Sequence, residues 1–318
     1  MDARRRLHSL EAVGTGAGAQ QLDKATLERL QRIGARFDES LGELQPSEEE
    51  GWTEEYDEEQ GFEFAFRLDN TALQVFCSKV FEGLDALHAF VGLCEFDLCG
   101  RYNQRILDAQ LLQRGETGDS LWRVLKRASG GKQDNIFHLS CLDALDEPLG
   151  ALWISTYAPV CQPASGDGSF DREPSEVCGV TVPPPLEGSV RLDLWKVVYA
   201  ITPVWEQTYS GELQPPAFQL TFGLCRHPSQ AACIFPSFMR REMASFLHSF
   251  RSFLQECNDL NWRALFSPNA PLYDCVRRHL AEKAPPSSAP HGPLLRLTFA
   301  DVSVHLPEDW ADYCEPLA

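Results

Sequence analysis

Residues 235–260 read FPSFMRREMASFLHSFRSFLQECNDL and carry the clearest periodic pattern in the chain. Large apolar side chains recur there at steps of three and four, which is the spacing of one helix face: Phe235, Phe238, Met239, Met243, Phe246, Leu247, Phe250, Phe253, Leu254, Cys257 and Leu260. Arginine, serine and histidine fill the other face, and Pro236 falls in the first turn, where a missing N–H costs little. The stretch predicts a long helix with one wide aromatic face.

The chain before this helix predicts a series of β-strands. Residues 62–68 alternate between apolar and polar side chains, as a half-buried strand does, and residues 71–80 predict a second strand. Residues 84–107 have helical spacing, and strand-like runs then follow at 108–115, 120–128, 135–144, 150–158, 176–183, 189–203 and 217–226. This order indicates an α+β fold, in which a curved antiparallel sheet of about seven to nine strands wraps around the long C-terminal helix.

Both ends of the chain differ from this central part. Residues 1–60 hold 15 acidic and 7 basic side chains, a net of −8 within a total of −18. Helical spacing at 22–44 and an acidic run at 48–59 predict an amphipathic helix and a solvated acidic linker. We expect a folded domain at 61–260. The extension at 261–318 contains a Pro-rich linker and then a strand-like run at 294–306, either an added strand or the start of another module.

The negative charge excludes some classes of function. It repels phosphate backbones, so we expect no nucleic-acid partner, and it disfavours membrane binding through a basic surface unless a local patch differs. The N-terminus MDARRRLHSL lacks an apolar run, and no stretch reaches 18 apolar residues, so neither a secretory signal nor a spanning helix is expected. Eleven cysteines without a C-x-x-C pair indicate buried reduced thiols in a cytoplasmic protein. We expect a monomer.

The usual catalytic motifs are missing from the sequence. It has no G-x-S-x-G, no H-E-x-x-H and no phosphate-binding loop, so we expect no catalytic residue, no metal and no cofactor. Asp143 and the pair Asp146–Glu147 are better read as turn residues than as an acid–base pair. His138 and Cys141 lie three apart on a predicted strand and would point to opposite faces, which is poor geometry for a dyad.

A sheet that grips one helix leaves an apolar cavity, because the helix cannot fill the curved sheet completely. Large aromatic side chains placed singly on the predicted strands would line this cavity, although each could equally be ordinary core packing. The candidates are Trp122, Trp153, Tyr157, Trp195, Tyr199 and Phe218.

Three stretches resemble the START domain, the steroidogenic acute regulatory protein-related lipid-transfer family with a helix-grip fold. They are residues 81–103 (FEGLDALHAFVGLCEFDLCGRYN), residues 136–157 and residues 220–240 (LTFGLCRHPSQAACIFPSFMR), and the resemblance spans about 61–258. The resemblance implies a non-catalytic module that binds one hydrophobic ligand such as a sterol, a phospholipid or ceramide. It also implies a charged pair that orients the polar end of the ligand, for which Arg123 or Lys126 with Asp143 are the candidates.

In this interpretation the loops 161–175 and 205–216 are gates, and transient membrane contact occurs there. Met239, Met243 and Phe246 form the helix face over the ligand, and Met suits a pocket that adapts to flexible ligands. The expected ligand-binding residues are Trp122, Arg123, His138, Asp143, Trp153, Tyr157, Trp195, Tyr199, Phe218, Met239, Met243 and Phe246.

Two alternatives remain open at this point. One is a cyclase- or aromatase-like enzyme of the same superfamily, with His138 and either Asp143 or Arg123 as its acid–base pair. The other is an interaction scaffold with a vestigial pocket, whose acidic N-terminal segment binds a basic partner.

Overall fold

The computed structural model describes ten stretches of the chain and three isolated residues. The stretches are 51–68, 73–115, 118–128, 131–146, 150–158, 176–191, 194–204, 217–226, 236–259 and 270–283, and the isolated residues are Ile33, Gly34 and Phe37. The predicted gates at 161–175 and 205–216 and the predicted strand at 294–306 lie outside the described residues.

Twelve strands form in the described residues. They are β1 (Thr53–Asp57), β2 (Phe62–Leu68), β3 (Leu73–Glu82), β4 (Ile106–Arg114), β5 (Asp119–Ala128), β6 (Gly131–Ala144), β7 (Ala151–Tyr157), β8 (Glu176–Val177), β9 (Val180–Thr181), β10 (Ser189–Val190), β11 (Leu194–Val204) and β12 (Ala217–Arg226). Nine of them form one antiparallel sheet in the order β1-β2-β3-β12-β11-β7-β6-β5-β4. β10 pairs in parallel with β6, and β8 pairs with β9 apart from the sheet.

The described helices are α1 (Ala86–Cys94), α2 (Phe96–Tyr102), α3 (Pro236–Asp259) and α4 (Ala270–Lys283). The predicted long helix is confirmed as α3. The helical run predicted at 84–107 divides at Glu95, whose backbone is extended (φ −98°, ψ 95°) and ends α1. The Asp85 carboxylate begins α1 by accepting the Leu87 N–H at 2.8 Å, which is a normal N-cap. The predicted α+β fold of a large antiparallel sheet with a long C-terminal helix is therefore confirmed.

The acidic run contains a strand, so its interpretation as a solvated linker was wrong for residues 53–57. Glu55 pairs with Phe64, and the ladder runs from Thr53↔Phe66 to Asp57↔Phe62. The charged side chains need not be buried there, because β1 is an edge strand whose backbone completes the ladder of β2. Part of the acidic segment also binds its own domain, since Arg240 of α3 approaches Glu55 at 3.3 Å and Asp57 at 3.8 Å.

One face of the sheet, here called the inner face, packs against the helices. Residues that pair directly across adjacent antiparallel strands point to the same face. The register therefore places Phe81, Phe218, Phe222 and Tyr199 on the inner face, where the helix side chains Met239, Leu247, Phe250, Phe253, Tyr273 and Val276 complete one buried core. α4 belongs to this core, although the sequence pattern does not predict it.

The opposite, outer face is covered locally by two other segments. Phe37 packs edge-on against Trp153 with the ring centroids 5.6 Å apart, and Ile33 is buried in the same cluster. These residues are helical and lie within the helix predicted at 22–44, so this part of the amphipathic helix docks on the outer face. Further along the sheet, Val177 packs on Leu121 and Ile136.

The cysteines are reduced wherever they are described. Cys77, Cys94, Cys99, Cys141 and Cys257 are buried, Cys225 is half-buried, and Cys178 and Cys275 are exposed. Burial raises the pKa of the Cys99 thiol to about 12 and that of Cys94 well above its usual range, so neither forms a thiolate readily.

Candidate functional site

An aromatic row on α3 faces the inner side of the sheet. Phe246 and Phe250 stack with their centroids 5.7 Å apart, and Phe250 meets Phe81 of β3 edge-on at 6.1 Å. Phe81 in turn stacks on Phe218 of β12 at 5.1 Å. This packing of large rings at steps of three and four is what the helix pattern predicts. At the C-terminal half of α3 the row is fully buried.

The contact is looser nearer the N-terminal end of α3. Phe246 and Tyr199 of β11 both remain partly accessible, and Phe222 joins them with centroid distances of 5.6 Å and 5.7 Å. Burial nevertheless raises the pKa of the Tyr199 phenol well above its usual value, because protein atoms surround it closely. The group of Tyr199, Phe222 and Phe246, two of which are only half-buried, is here called the Tyr199 recess. Met239 and Met243 are buried on the same helix face.

A buried ion pair lies on the inner side at the far edge of the sheet. Arg114, the last residue of β4, donates to both carboxylate oxygens of Glu95, with N–O distances of 3.0 Å and 2.6 Å. The Glu95 side chain is 6% exposed and that of Arg114 is 17% exposed. The guanidinium lies 5.9 Å from the centroid of the Trp122 ring, and Phe96 packs on that ring from α2. The pair therefore sits in an aromatic wall, where two planar hydrogen bonds offset the cost of burying the charges.

The helix α4 covers the Glu95–Arg114 pair. The Tyr273 hydroxyl donates a short hydrogen bond to the Glu95 carboxylate, and its ring contacts Phe90 of α1 edge-on. Tyr273 is only 1% exposed. Burial, followed by the neighbouring Cys94 and Glu95, raises the pKa of Tyr273 far above its usual value, so the phenol stays protonated as a donor. The sequence analysis missed Glu95, Arg114 and Tyr273, because they lie far apart in the chain and none belongs to a motif.

The register divides the expected ligand-binding residues between the two faces of the sheet. Trp122, Tyr199 and Phe218 lie on the inner face with Met239, Met243 and Phe246 of α3. In contrast, Arg123 pairs with Ile136, and His138 pairs with Tyr157, so these side chains point to the outer face. Trp153 also lies there, under Phe37. Trp195 belongs to β11, but its side chain lies outside the described residues.

Arg123, His138 and Asp143 are the polar residues among these candidates, and each contacts a different residue outside this group. Arg123 forms an ion pair with Asp134, donates to the Pro184 carbonyl at 2.8 Å and so fixes residues 182–186 on the outer face. His138 approaches Asp119 at 3.4 Å on that same face. His279 of α4 contacts Asp143 at 2.8 Å. The cyclase alternative requires His138 to pair with Asp143 or Arg123. That pair does not form among these residues, because His138 contacts Asp119, Asp143 contacts His279 and Arg123 contacts Asp134.

The expected opposition of His138 and Cys141 is confirmed. Cys141 pairs with Ile154 and belongs to the inner core, whereas His138 lies on the outer face. Within the described stretches, no group of three or more side chains is arranged to hold a metal ion. Among the same residues, no helix is long and apolar enough to cross a membrane.

The fold and site together define a helix-grip protein with an apolar recess and a separate buried polar pair. Neither a protein-family model nor a curated protein sequence matches the chain. Among solved structures, the chain is similar to human STARD10, with 14% identity and a TM-score of 0.49 over 80% of this chain and 88% of that one. It is similar to human StAR-related lipid transfer protein 5, with 13% identity and a TM-score of 0.48 over 72% and 97% of the two chains.

A bacterial structure gives a third comparison. The STAR-related lipid transfer protein from Xanthomonas axonopodis is 14% identical, with a TM-score of 0.42 over 64% of this chain and 99% of that one. These similarities are low, and the helix-grip architecture of this chain rests on its own strand order and on α3.

Proposed function

We propose that this protein binds a hydrophobic ligand, of the lipid class, without catalysis, between the inner face of its sheet and α3. The observation that supports the proposal is the Tyr199 recess. Tyr199 and Phe246 are partly accessible on the inner face, and the flexible side chains of Met239 and Met243 lie on the same helix as Phe246. A lipid buried there would gain free energy in proportion to its apolar area, at about 25 cal/mol per Å².

Uptake requires side chains to move. Two depressions on the described residues lie elsewhere, one a small cleft beside Trp52 and Val75, the other an open groove along β1 and β2. The recess therefore has to widen for a lipid to enter. On its outer side, the N-terminal half of α3 forms ion pairs of Arg240 with Glu55 and of Arg105 with Glu242 at the surface, and exposed pairs of this kind resist movement little.

The proposal is tested by lipid uptake into the full chain. Protein purified without detergent is analysed by native mass spectrometry for a bound lipid, and uptake is then measured with dehydroergosterol and with a fluorescent phosphatidylcholine. We expect a co-purifying lipid or saturable uptake of at least one probe. A clean mass without any uptake would refute lipid binding.

A matched pair of variants locates the site. Phe246→Asp introduces a carboxylate into the recess, and Ser245→Asp introduces the same charge one residue earlier, on the exposed face of α3. We expect Phe246→Asp to weaken uptake by roughly tenfold or more, because an unpaired buried charge is costly, and Ser245→Asp to leave it unchanged. If Phe246→Asp fails to fold by circular dichroism, Phe246→Leu takes its place, with a smaller loss expected. Equal uptake by the Phe246 and Ser245 variants would place the ligand elsewhere.

We also propose that the protein contacts membranes transiently, because the transfer of a lipid between membranes requires such contact. Transfer is measured between donor and acceptor vesicles of phosphatidylcholine, where the rate should rise linearly with protein concentration. A transfer rate no higher than the spontaneous exchange between vesicles without protein would limit the proposed function to lipid binding.

A further inference from the structure

The sheet ends on one side at β1, and the outward edge of this strand is open. In the described part of the chain, β1 pairs with β2 alone, in five consecutive pairs without a register shift. An edge strand presents backbone N–H and C=O groups that point away from its neighbour and can pair with another extended chain. Thr53, Glu54 and Tyr56 are exposed, so this edge is accessible.

The opposite edge of the sheet, at β4, is built differently. The ladder between β4 and β5 has irregularities between Ile106 and Asp108 and between Leu111 and Gln113. Bulges of this kind bend an edge strand and hinder its pairing with another chain. In contrast, β1 contains no bulge, no proline and no lysine, which are the usual protections of an edge. Of the two edges in the described sheet, β1 is therefore the better prepared to receive a further strand.

The charge along β1 is of one sign. Residues 53–61 read TEEYDEEQG and contain five carboxylates and no lysine or arginine. Like charges that lie directly opposite each other destabilise a sheet, so this sequence disfavours pairing between β1 and the β1 strand of a second copy. The same charge favours an added strand that carries basic side chains.

The outer side of β1 holds carboxylates that lack a cation. Tyr56 pairs directly with Glu63, and Glu54 lies two positions from Tyr56 on the same strand, so all three side chains share the outer face. Among the described residues, no ion pair joins Glu54 or Glu63 to a basic side chain. Burial, and then the charge of Glu54, raise the pKa of Glu63, so a cation placed between these carboxylates would stabilise both.

We propose that the open edge of β1 binds an extended segment of a partner protein that carries arginine or lysine at alternate positions. The backbone of this segment continues the sheet beyond β1. Every second side chain of a strand points to the same face, so the basic side chains lie beside Glu54 and Tyr56. Tyr56 is 61% exposed, and the face of its ring attracts cations. This binding does not depend on lipid, because the Tyr199 recess lies on the inner face.

The test compares two fluorescent synthetic peptides of equal length and charge. One alternates arginine with valine and can form a strand, whereas the other alternates arginine with proline, which has no backbone N–H to donate. The full chain carries a net charge of −18 and attracts any basic peptide, and the comparison removes this general attraction. Binding is measured at low salt by fluorescence anisotropy. We expect the valine peptide to bind about fivefold more tightly or better, the order of one net hydrogen bond.

Hydrogen exchange identifies the strand that is paired. The valine peptide should slow the exchange of residues 53–57, because their open backbone groups become hydrogen-bonded, and the proline peptide should not. Equal affinity of the two peptides, with unchanged exchange at 53–57, would overturn strand pairing and leave attraction by net charge.

Two charge-matched double variants locate the contact. Glu54→Gln with Glu63→Gln removes two carboxylates from the outer side of β1, and Glu176→Gln with Glu187→Gln removes two exposed carboxylates elsewhere. We expect the first double variant to weaken binding of the valine peptide by about fivefold, as the loss of two exposed ion pairs predicts, and the second to leave it unchanged. Equal weakening by both would overturn the position of the site.

The arginines at the N-terminus of this chain are the competing occupant, because Arg4, Arg5 and Arg6 form a basic run. Replacing all three by serine tests them. Peptide binding that appears only in this variant would show that the chain fills its own edge and would overturn the partner. No binding of the valine peptide to wild type or to this variant would overturn the edge as a docking site.

Discussion

Gly92 of α1 gives the sharpest test of how the helices pack inside the sheet. A Cβ atom added at this position would lie 2.7 Å from the Phe253 ring, below the distance that real Cβ atoms show, and 3.6 Å from the Phe250 ring. The Phe253 ring has little room to retreat, because Tyr102 packs on it at a centroid distance of 5.2 Å. Gly92→Ala should therefore strain the contact between α1 and α3.

The expected magnitude follows from two opposing effects. Alanine favours a helix over glycine by about 0.5–1 kcal/mol. Overpacking a tight core position costs about 1–3 kcal/mol. Gly100 in α2 provides the control, because its added Cβ would approach only the Ile106 carbonyl oxygen, at an ordinary 3.7 Å. Gly100→Ala gains the helix preference without the clash. The difference between the two variants thus isolates the overpacking cost of about 1–3 kcal/mol.

The assay is equilibrium unfolding in urea, followed by circular dichroism and by tryptophan fluorescence. We expect Gly100→Ala to be as stable as wild type or slightly more stable, and Gly92→Ala to be less stable than Gly100→Ala by the amount above, with equal dependence on urea concentration. If the two variants unfold at the same urea concentration, α1 and α3 do not meet at Gly92, and the inner packing described here is incorrect.

Two further predictions concern pH. Burial alone would raise the pKa of Asp134, but hydrogen bonds from Arg123 and the Leu186 N–H outweigh it and hold the pKa below its ordinary value of 3.8. The stability that the ionised Asp134 adds is present above pH 3.8 and is lost as pH falls through the folded pKa. Asp134→Asn should therefore be less stable than wild type at neutral pH and should lose less unfolding free energy on acidification to pH 3. An acid transition equal to that of wild type would contradict this. The hydrogen bond to Asp143 raises the pKa of His279 above 6.5, so its contribution is complete below that pH and is lost as pH rises through the folded value. His279→Gln should therefore flatten the decline in unfolding temperature above pH 6.5, and an equally steep decline in both proteins would show that the contact with Asp143 is not formed.

The long helix and most strands follow from local patterns in the sequence. The apolar spacing of residues 235–260 predicts α3 because a stripe at steps of three and four can be buried only as a helix face. The strand predicted at 217–226 agrees with β12, and β5 and β7 lie within two residues of their predicted ends. The sequence pattern does not predict β1, because its five residues include three carboxylates and show no alternation typical of a strand. Their backbone pairs only because β2 is adjacent.

The site was predicted less completely. Sequence reasoning placed Tyr199, Phe246, Met239 and Met243 together, because a large apolar side chain on a strand or helix face tends to be buried. Sequence reasoning could not decide which face of a strand meets the helices. Trp122 and Arg123 were both expected to bind the ligand, but they are adjacent on one strand and so point in opposite directions. The same uncertainty put Trp153 among the expected ligand contacts, although it lies under Phe37.

By itself, then, the sequence determined the class of fold and the aromatic face of α3, because both depend on periodicity within a single segment. Only the tertiary structure decided the polar chemistry. Glu95, Arg114 and Tyr273 come from a helix junction, an edge strand and a C-terminal helix, and residues 95 and 273 are 178 positions apart. Hydrogen bonds form between groups brought together by packing, and that packing depends on the register of the whole sheet, which no local pattern encodes.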